Sequence, residues 1–304
     1  MEKIFDMIVV GGGPGGYTAA LYGARAGLDV LVIERLSAGG QMNLTGQIDN
    51  YPGFPEGVDG FQLSMNMQQG AERFGAKTKY AEVLKLELSG DIKSVQTNEG
   101  IYQAKTVVIS TGAGPRQLGV AREDKMIGRG VGYCAHCDGM FYRGKTVVVV
   151  GGGNSAVAEA LYLSRIAKEV ILVHRRDSLR ATQIYLKPLQ EASNIRFVWN
   201  AEVTELLGDD VLEGVMVKDL QSGAPQKLEA QGVFISVGRK PATELVKEQL
   251  TLDPAGYIMA GEDTKTSIPG VYAVGDVRTK ELRQIVTAVA DGAMAAHMAE
   301  QLLV

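Results

Sequence analysis

The amino-acid sequence predicts an α/β protein made of two similar three-layer domains, the second inserted into the first. An apolar strand, a glycine-rich turn and a helix follow one another twice along the chain. In both copies an informative side chain stands 23 positions after the first glycine, at Glu34 and at His174. The end of the chain has no counterpart in the second copy. We therefore expect a discontinuous domain over residues 1–113 and 244–304, and an inserted domain over residues 114–243.

Composition limits the class of protein. Of the 304 residues, 45% are apolar, which is enough for two packed cores. Glycine occurs 38 times and proline 9 times, and this ratio indicates many tight turns, as in nucleotide-binding proteins. The formal net charge is only −4 and no basic run stands out, so neither nucleic acid nor a membrane is an expected partner. The chain starts in a strand pattern without an apolar leader, which predicts a cytoplasmic location.

The first copy of the pattern predicts a dinucleotide site. An apolar strand at residues 7–10 leads into a G-x-G-x-x-G turn and an alanine-rich helix at residues 17–26. Such a turn brings a pyrophosphate to the N-terminus of the helix. The next strand, residues 30–33, ends in Glu34, and an acid there suits the ribose hydroxyl of an adenosine without a 2′-phosphate. The turn residues expected to bind are Gly11, Gly13, Pro14 and Gly16.

The second copy predicts a different nucleotide. Strand, turn and helix recur over residues 146–166, so both domains are Rossmann-like. Where the first copy has an acid, the second has a basic group, which is what a ribose 2′-phosphate requires. The second site is therefore predicted to prefer NADPH to NADH, with a solvated basic face as the alternative. The residues expected to bind are Gly151, Gly153, Asn154, Ser155, His174, Arg175, Arg176 and Arg180.

The cysteines predict redox chemistry. The only two, Cys134 and Cys137, form a C-x-x-C motif just ahead of the second copy. Such a pair can close a small disulfide and reopen it by thiolate exchange. A zinc site is one alternative, but zinc needs four ligands and the chain has only 3 histidines to add. Two buried structural thiols are another, which the glycine-rich, polar surroundings at residues 130–139 disfavour.

Two further loops are rich in glycine or proline. Residues 39–41 and 49–53 are either turns near a ligand or plain loops, and composition alone does not separate the two. The two copies also resemble each other beyond their turns, because residues 201–203 repeat the pattern of residues 81–83. Two related nucleotide-binding modules are therefore expected.

Taken together, these residues resemble the low-molecular-weight, bacterial-type thioredoxin reductases over essentially the whole chain. In the larger, glutathione reductase-like enzymes the redox cysteines follow the first glycine turn. Here residues 39–42 contain none, and the pair belongs to the second domain. The matching stretches are residues 11–20, 39–41, 134–139, 151–156, 174–177, 180–181, 275–277 and 283–284.

The resemblance implies FAD in the first domain, NADPH in the second and thioredoxin as final electron acceptor, with a homodimer as the expected assembly. It places Cys137 next to the flavin and lets Cys134 attack the acceptor disulfide. Asp138 is the candidate acid for the leaving thiolate, or alternatively a helix N-cap. Beyond the glycine turn, the residues expected to hold FAD are Glu34, Arg35, Gly40, Gln41, Asn50, Thr111, Gly112, Gly275, Asp276, Arg283, Gln284 and Ile285. Gly238 joins the NADPH set.

The resemblance also implies a domain movement, since one disulfide cannot reach a buried flavin and a large protein substrate in a single geometry. Residues 112–115 and 238–241, where the chain crosses between the domains, are both rich in Gly and Pro and suit a paired hinge.

The chain departs from the family pattern at two positions. His136 stands where many members have Thr; it either shifts a cysteine pKa or the disulfide potential, or is a tolerated exposed side chain. Ile285 replaces a common Ala, which is harmless if this position works through its backbone N–H. Rival functions are a reductase of another dithiol acceptor, such as a glutaredoxin-like or peroxidase-linked protein, a ferredoxin–NADP reductase and a flavin-bearing redox sensor. The cysteine pair disfavours the ferredoxin enzyme, and the complete NADPH site disfavours the sensor.

Overall fold

A computed structural model describes residues 3–44 and 47–304 of the chain. The chain divides into two compact units. Unit 1 comprises Met1–Gly114 and Lys240–Val304, and unit 2 comprises Pro115–Arg239. The side chains outside the described part are those of Leu44, His136 and Cys137.

The helices and strands follow in chain order. Up to the first crossing they are β1 (Ile4–Val10), α1 (Pro14–Arg25), β2 (Val30–Glu34), β3 (Gln47–Ile48), β4 (Val58–Asp59), α2 (Gly60–Glu72), β5 (Lys77–Tyr80), β6 (Val83–Glu87), β7 (Lys93–Thr97), β8 (Gly100–Ile109) and β9 (Ala113–Pro115). Next come α3 (Glu123–Met126), β10 (Val131–Gly132), α4 (Ala135–Asp138), β11 (Thr146–Gly151), α5 (Asn154–Ser164), β12 (Glu169–Val173), α6 (Gln183–Glu191), β13 (Ile195–Val198), β14 (Ala201–Leu207), β15 (Gly214–Asp219), β16 (Pro225–Glu229) and β17 (Gly232–Ser236). The last are β18 (Arg239–Pro241), β19 (Val271–Ala273) and α7 (Ile285–Leu303).

Unit 1 is organised around a sheet with the parallel order β5-β2-β1-β8-β19, which antiparallel β7 and β6 extend beyond β8. Strand β1, with the sequence IFDMIVV, is fully buried from Met7 to its end. A parallel strand with layers on both faces needs such a continuous apolar run, and a strand with one wet face would alternate. Val9 pairs with Val32 of β2 on one side and with Val108 of β8 on the other.

The last segment of the chain belongs to unit 1. Ala295 and Ala299 of α7 share a buried cluster with Met7, Val9 and Tyr17, because small side chains let α7 approach the sheet and α1 closely. Although α7 has 19 residues, no helix within the described ranges is both long and apolar enough to cross a membrane.

Unit 2 repeats the topology of unit 1. Its parallel sheet has the order β13-β12-β11-β17-β10, so β11 takes the place of β1 and β12 that of β2. The antiparallel strands β14, β15 and β16 correspond to the extension of the first sheet. The sequence repeat is therefore a repeat of fold, and equivalent positions in the two units can be compared directly.

The two crossings run side by side. Strands β9 and β18 pair with each other. On the unit 1 side the Ala242 N–H donates to the Gly112 carbonyl at 3.0 Å, and on the unit 2 side the Arg116 N–H donates to the Gly238 carbonyl at 2.9 Å. The connection between the units is thus a pair of short, hydrogen-bonded strands.

Candidate active site

The first glycine turn joins the end of β1 to the start of α1. The Gly11 N–H donates to the Ile33 carbonyl at 2.8 Å, which ties the turn to β2. Gly16 lies so close to the Gly11 carbonyl oxygen that a Cβ atom would overlap it. Gly13 is the N-cap, and no side chain caps the helix. A Cβ atom on Gly13 would meet no heavy atom within 4 Å. Space is therefore open beside the N-terminal N–H groups of α1, where a diphosphate binds favourably.

Glu34 ends β2 beside this turn. Its Oε2 accepts a hydrogen bond from the Gly12 N–H at 2.7 Å, and its Oε1 accepts one from the Leu36 N–H at 3.1 Å. These bonds fix the carboxylate and leave lone pairs for a ribose hydroxyl, while its charge repels a 2′-phosphate. Arg35 lies on the surface instead, 4.0 Å from the carboxylate of Glu82.

The loop at residues 39–41 lies next to the first glycine turn. The Gly39 N–H donates to the Gly12 carbonyl at 2.7 Å, and Gly40 begins a 3₁₀ helix, Gly40–Leu44. The Gln41 side chain donates to the Ala113 carbonyl at 2.5 Å. Of the two interpretations that composition left open, the contacts favour a ligand-side turn, because the loop borders the open helix terminus.

The N-terminus of α7 reaches the same edge of unit 1. Gln284 forms a capping box with Thr287, and its Oε1 accepts a hydrogen bond from the Asn50 side chain at 2.8 Å. Ile285 packs in a small apolar cluster. The Arg283 guanidinium lies 3.9 Å from the centre of the Tyr257 ring, and its buried Nε has no hydrogen-bond partner within the described part of the chain.

Thr111 and Gly112 follow β8, and Gly275 and Asp276 follow β19, so all four lie beyond the carboxyl ends of neighbouring parallel strands. The Thr111 hydroxyl donates to the Ala242 carbonyl at 2.7 Å. In open α/β sheets ligands bind outside this edge. The structure therefore brings the predicted FAD residues together at one edge of unit 1, with Arg35 as the outward-facing member.

Sequence reasoning missed a buried charge network under this edge. Asp291 of α7 binds the Arg278 guanidinium through both carboxylate oxygens, at 2.9 and 2.6 Å, and Lys280 at 2.6 Å. It also accepts a hydrogen bond from the Gly275 N–H at 2.8 Å. Arg278 is 2% exposed and Asp291 is 5% exposed. The network fixes the turn that carries Asp276. The available signal was an aspartate among the alanines in the middle of this helix.

The second glycine turn packs against a histidine, where the first packs against a glutamate. His174, which takes the position of Glu34, is buried with its ring so close to Gly152 that a Cβ atom there would overlap the ring. Burial, and then the positive charges of Arg180, Arg175 and Arg176, lower the pKa of His174. The imidazole is therefore neutral at pH 7, and it contributes to the site by packing against Gly152 and not by its charge.

The basic group predicted from the sequence surrounds this turn. Arg175, Arg176 and Arg180 are exposed, and the Arg180 N–H donates to the Gly152 carbonyl at 2.7 Å. Within the described ranges no carboxylate lies within 4.0 Å of any of the three guanidinium groups. Asn154 instead orders the neighbouring chain, since its Oδ1 accepts from the Thr182 N–H at 2.8 Å. Unpaired arginines beside an open helix start fit a ribose phosphate.

Two other members of the predicted NADPH set lie near the same turn. A Cβ atom on Gly153, the N-cap of α5, would meet no heavy atom within 4 Å. Ser155 is exposed in the first turn of α5. Gly238 lies farther along the chain, at the second crossing, where its backbone has a φ of +115°. Unit 2 thus has an open helix N-terminus like that of unit 1, but the charged side chains beside it are arginines and not a glutamate.

The cysteine loop belongs to unit 2. Cys134 is disulfide-bonded and directly precedes α4. The expectations for the side chains of His136 and Cys137 lie outside the described part of the structure. Asp138 stands at the N-cap of the 3₁₀ helix Gly139–Tyr142, but its side chain makes no capping hydrogen bond. The N-cap interpretation is therefore wrong for the side chain. Burial raises the pKa of the Asp138 carboxyl, as a proton donor requires.

Comparison with known proteins identifies the family. The family model described as pyridine nucleotide-disulphide oxidoreductase matches residues 5–292. A thioredoxin reductase of Streptomyces clavuligerus is 45% identical over 306 residues, covering 100% of this chain and 95% of that protein. The crystal structure of Lactococcus lactis thioredoxin reductase in its FR conformation is 42% identical, with a TM-score of 0.91, and covers 98% of this chain and 99% of that chain. The chain belongs to this family.

Thioredoxin reductase from T. acidophilum is also similar, with 36% identity, a TM-score of 0.89 and 99% coverage of both chains. These findings confirm the resemblance, the two-domain Rossmann-like fold class and the prediction of a thioredoxin reductase-type enzyme. Thioredoxin reductases of the pyridine nucleotide-disulphide oxidoreductase family use FAD and NADPH, and both are cofactors of this chain. The two open helix termini, one with an acidic wall and one with a basic rim, fit these two nucleotides.

Proposed function

We propose that the chain passes electrons from NADPH by way of FAD to a Cys134–Cys137 disulfide, and from there to the disulfide of a thioredoxin. The observation that carries the proposal is the disulfide-bonded Cys134, which lies in the same unit as the basic second turn. The net reaction balances as NADPH, a proton and a disulfide giving NADP⁺ and a dithiol, with two electrons transferred. Two relatives that match the chain over its length are named thioredoxin reductases.

Unit 1 is proposed to hold FAD and unit 2 to hold NADPH. In unit 1 the N–H groups of α1 bind the diphosphate, Glu34 takes the adenosine ribose, and the turn around Asp276 with the start of α7 completes the pocket. In unit 2 the N–H groups of α5 bind the diphosphate, and Arg175, Arg176 and Arg180 bind the 2′-phosphate. When bound, the flavin and nicotinamide supply two-electron hydride chemistry that side chains cannot perform.

The residues of the cysteine loop perform the exchange with the protein substrate. The Cys134 thiolate attacks one sulfur of the acceptor disulfide, forming a mixed disulfide and releasing an acceptor thiolate. Asp138, whose carboxyl pKa is raised by burial, is proposed to donate a proton at this step. The Cys137 thiolate then attacks Cys134, which releases the second acceptor thiol and restores the disulfide. The pairing of the two cysteines and the roles of each follow from the resemblance.

Between the two half-reactions the units are proposed to rotate about the paired crossings. Short strands that are joined by backbone hydrogen bonds, such as β9 and β18, guide a rotation better than two independent flexible linkers would. Homodimer formation and a cytoplasmic location remain predictions.

The deciding experiment follows anaerobic NADPH oxidation by the FAD-loaded protein in the presence of a thioredoxin, with wild type, Cys134→Ser and Asp138→Asn compared. We expect Cys134→Ser to abolish thioredoxin reduction, because the attacking thiolate is gone, while NADPH still bleaches the flavin. Asp138→Asn should slow thioredoxin reduction by about 10- to 100-fold through loss of one proton donor, again with normal bleaching.

Each result has a distinct meaning. Bleaching without thioredoxin reduction in wild type would preserve fold and cofactors and move the search to another dithiol acceptor. Full turnover by Cys134→Ser would contradict the proposed electron route. Unchanged turnover by Asp138→Asn would remove this carboxyl group from the mechanism.

A further inference from the structure

One partly buried carboxyl group in unit 2 has no role in the mechanism above. Glu159 lies in α5, on the otherwise apolar sequence NSAVAEALYLS. Its Oε2 accepts a hydrogen bond from the Ser236 hydroxyl at 2.6 Å, and Ser236 is the last residue of β17. The backbone N–H of Ala135 also donates to this carboxylate. Ala135 is 0% exposed, begins α4 and directly follows Cys134.

These contacts join three elements that sequence separates widely. The first N–H groups of a helix have no acceptor inside the helix, so an external acceptor decides where the start of α4 lies. Ser236 also borders the second glycine turn, because a Cβ atom on Gly151 would overlap the Ser236 carbonyl oxygen. The Glu159 carboxyl group thus connects the residue after Cys134 with Ser236, which packs against the second glycine turn.

We infer that Glu159 is a positioning residue for disulfide exchange, holding the start of α4, and with it Cys134, against the end of β17. The inference rests on the function proposed above. It assigns Glu159 no direct contact with substrate or cofactor: the residue acts through the backbone of Ala135. Loss of the carboxyl group should therefore change the behaviour of the cysteine pair more than the reduction of the flavin.

The ionisation of Glu159 gives the inference a specific signature. Burial raises its pKa to about 7, against the lowering effect of the Ser236 and Ala135 hydrogen bonds and of the positive charge of Arg239. Among the described side chains of α4 itself, the charged group is the Asp138 carboxyl at the far end of that helix. As pH rises through 7, Glu159 becomes negative while it accepts a hydrogen bond from Ala135, the residue next to Cys134. A negative charge there disfavours a cysteine thiolate, so reduction of the disulfide should become coupled to proton uptake by Glu159.

The first test is an equilibrium that needs no thioredoxin. FAD-loaded wild type, Glu159→Gln and Glu191→Gln are equilibrated anaerobically with dithiothreitol redox buffers between pH 6 and 8.5, quenched in acid and alkylated, and the cysteines are counted by mass. Gln can accept from Ala135 and donate to Ser236, so it keeps the contacts without the charge. Glu191 is exposed on α6 of the same unit and controls for a lost charge.

We expect the fraction of reduced pair in wild type and Glu191→Gln to show an added pH dependence around 7, amounting to about three- to tenfold in the equilibrium constant. This component should be absent from Glu159→Gln. Parallel curves for all three proteins would overturn the inference, and so would an equal change in Glu191→Gln.

The second test removes the contacts. Glu159→Ala leaves the Ala135 N–H without its acceptor, and thioredoxin-linked turnover should fall by about tenfold, whereas FAD content and the rate of flavin bleaching by NADPH stay within about twofold. Glu159→Gln should restore turnover at neutral pH. Equal loss of bleaching and turnover would contradict a role in positioning the cysteines. If wild type itself fails to reduce thioredoxin, the proposed acceptor is wrong, while the dithiothreitol equilibrium still decides the role of Glu159.

Discussion

The two units share a sheet order but differ in the side chain at the end of the second strand of the nucleotide-binding motif. In unit 1 the last side chain of β2 is Glu34, whose carboxylate accepts a hydrogen bond from the Gly12 N–H. In unit 2 the side chain after β12 is the buried, neutral His174, and the unpaired Arg175 and Arg176 follow it on the surface. The backbone supplies the same open helix terminus in both. We therefore propose that the acid at this position in unit 1, and the arginines that follow it in unit 2, determine which nucleotide each unit accepts.

A second pair of positions shows a similar contrast. Each unit uses a carboxylate to bind the backbone N–H of a functional turn: the buried Asp291 binds Gly275, and the partly buried Glu159 binds Ala135. Asp291 is paired with two buried cations, Arg278 and Lys280. Glu159 relies on neutral donors, and burial raises its pKa to about 7. One turn is thus held by a network of ion pairs and the other by a group that titrates near neutrality.

Removal of the ion-paired Asp291 carboxylate should give the largest loss of stability. Asp291→Ala removes the carboxylate that Lys280 binds and leaves Arg278 with the exposed Glu262 carboxylate at 3.8 Å. Breaking a buried ion pair in this way typically destabilises a protein by about 3–5 kcal/mol. The Gly275 turn also loses its acceptor, so FAD retention should fall. Urea unfolding followed by FAD release measures both changes. Glu300→Ala, at a partly exposed site on the same helix, should shift unfolding by less than about 0.5 kcal/mol. Similar shifts in the two variants would mean that the network does not support the turn.

Removal of the basic rim should come next. The double variant Arg175→Ala/Arg176→Ala should raise the KM for NADPH by about 100-fold, because two charge-assisted contacts to the 2′-phosphate are lost. The KM for NADH should change little, since NADH has no such phosphate. Arg165→Ala, an exposed arginine at the end of α5, controls for loss of positive charge. A parallel rise in both KM values would show that the rim contributes to folding or general electrostatics and not to selectivity.

The parts of this molecule that sequence predicts are those whose causes are local. In each unit the glycine turn, its helix and the residue at the end of the next strand, Glu34 or His174, lie within a few dozen residues of one another. The spacing of the glycines and the apolar pattern of the strands therefore predict them directly. Start positions still shifted slightly: α1 begins at Pro14 and not at residue 17, because Gly13 takes the N-cap and Pro suits the first helical position.

The parts that sequence could not predict depend on distant partners. Glu159 and Ser236 are 77 residues apart, and Asn50 and Gln284 are 234 apart. No periodicity encodes such pairs. Asp138 illustrates a different limit: Asp suits an N-cap and a buried acid equally well. Only the packing around the side chain, which makes no capping bond and raises its pKa, separates the two.

The smallest expected effect is a pH-dependent change in the stability of unit 2 on substitution of Glu159. It tests whether Glu159 differs from the ion-paired Asp291. The pKa of Glu159 is raised from 4.5 to about 7 in the folded protein, so its neutral form is the one that folding favours. That contribution is complete below pH 4.5 and is lost as pH rises through 7. Glu159→Gln stays neutral, and above pH 7 it should make unit 2 more stable than wild type by about 1–2 kcal/mol, an advantage that vanishes near pH 4.5.

Trp199, the single tryptophan of the chain, stacks on Phe197 in unit 2, so its fluorescence during urea unfolding reports on this unit alone. The removal of a negative charge should therefore destabilise unit 1 at Asp291 and stabilise unit 2 at Glu159 above neutral pH. Destabilisation by Glu159→Gln at pH 8 would contradict the contrast, because it would mean that the charged form of Glu159 is the favoured one, as in a paired carboxylate.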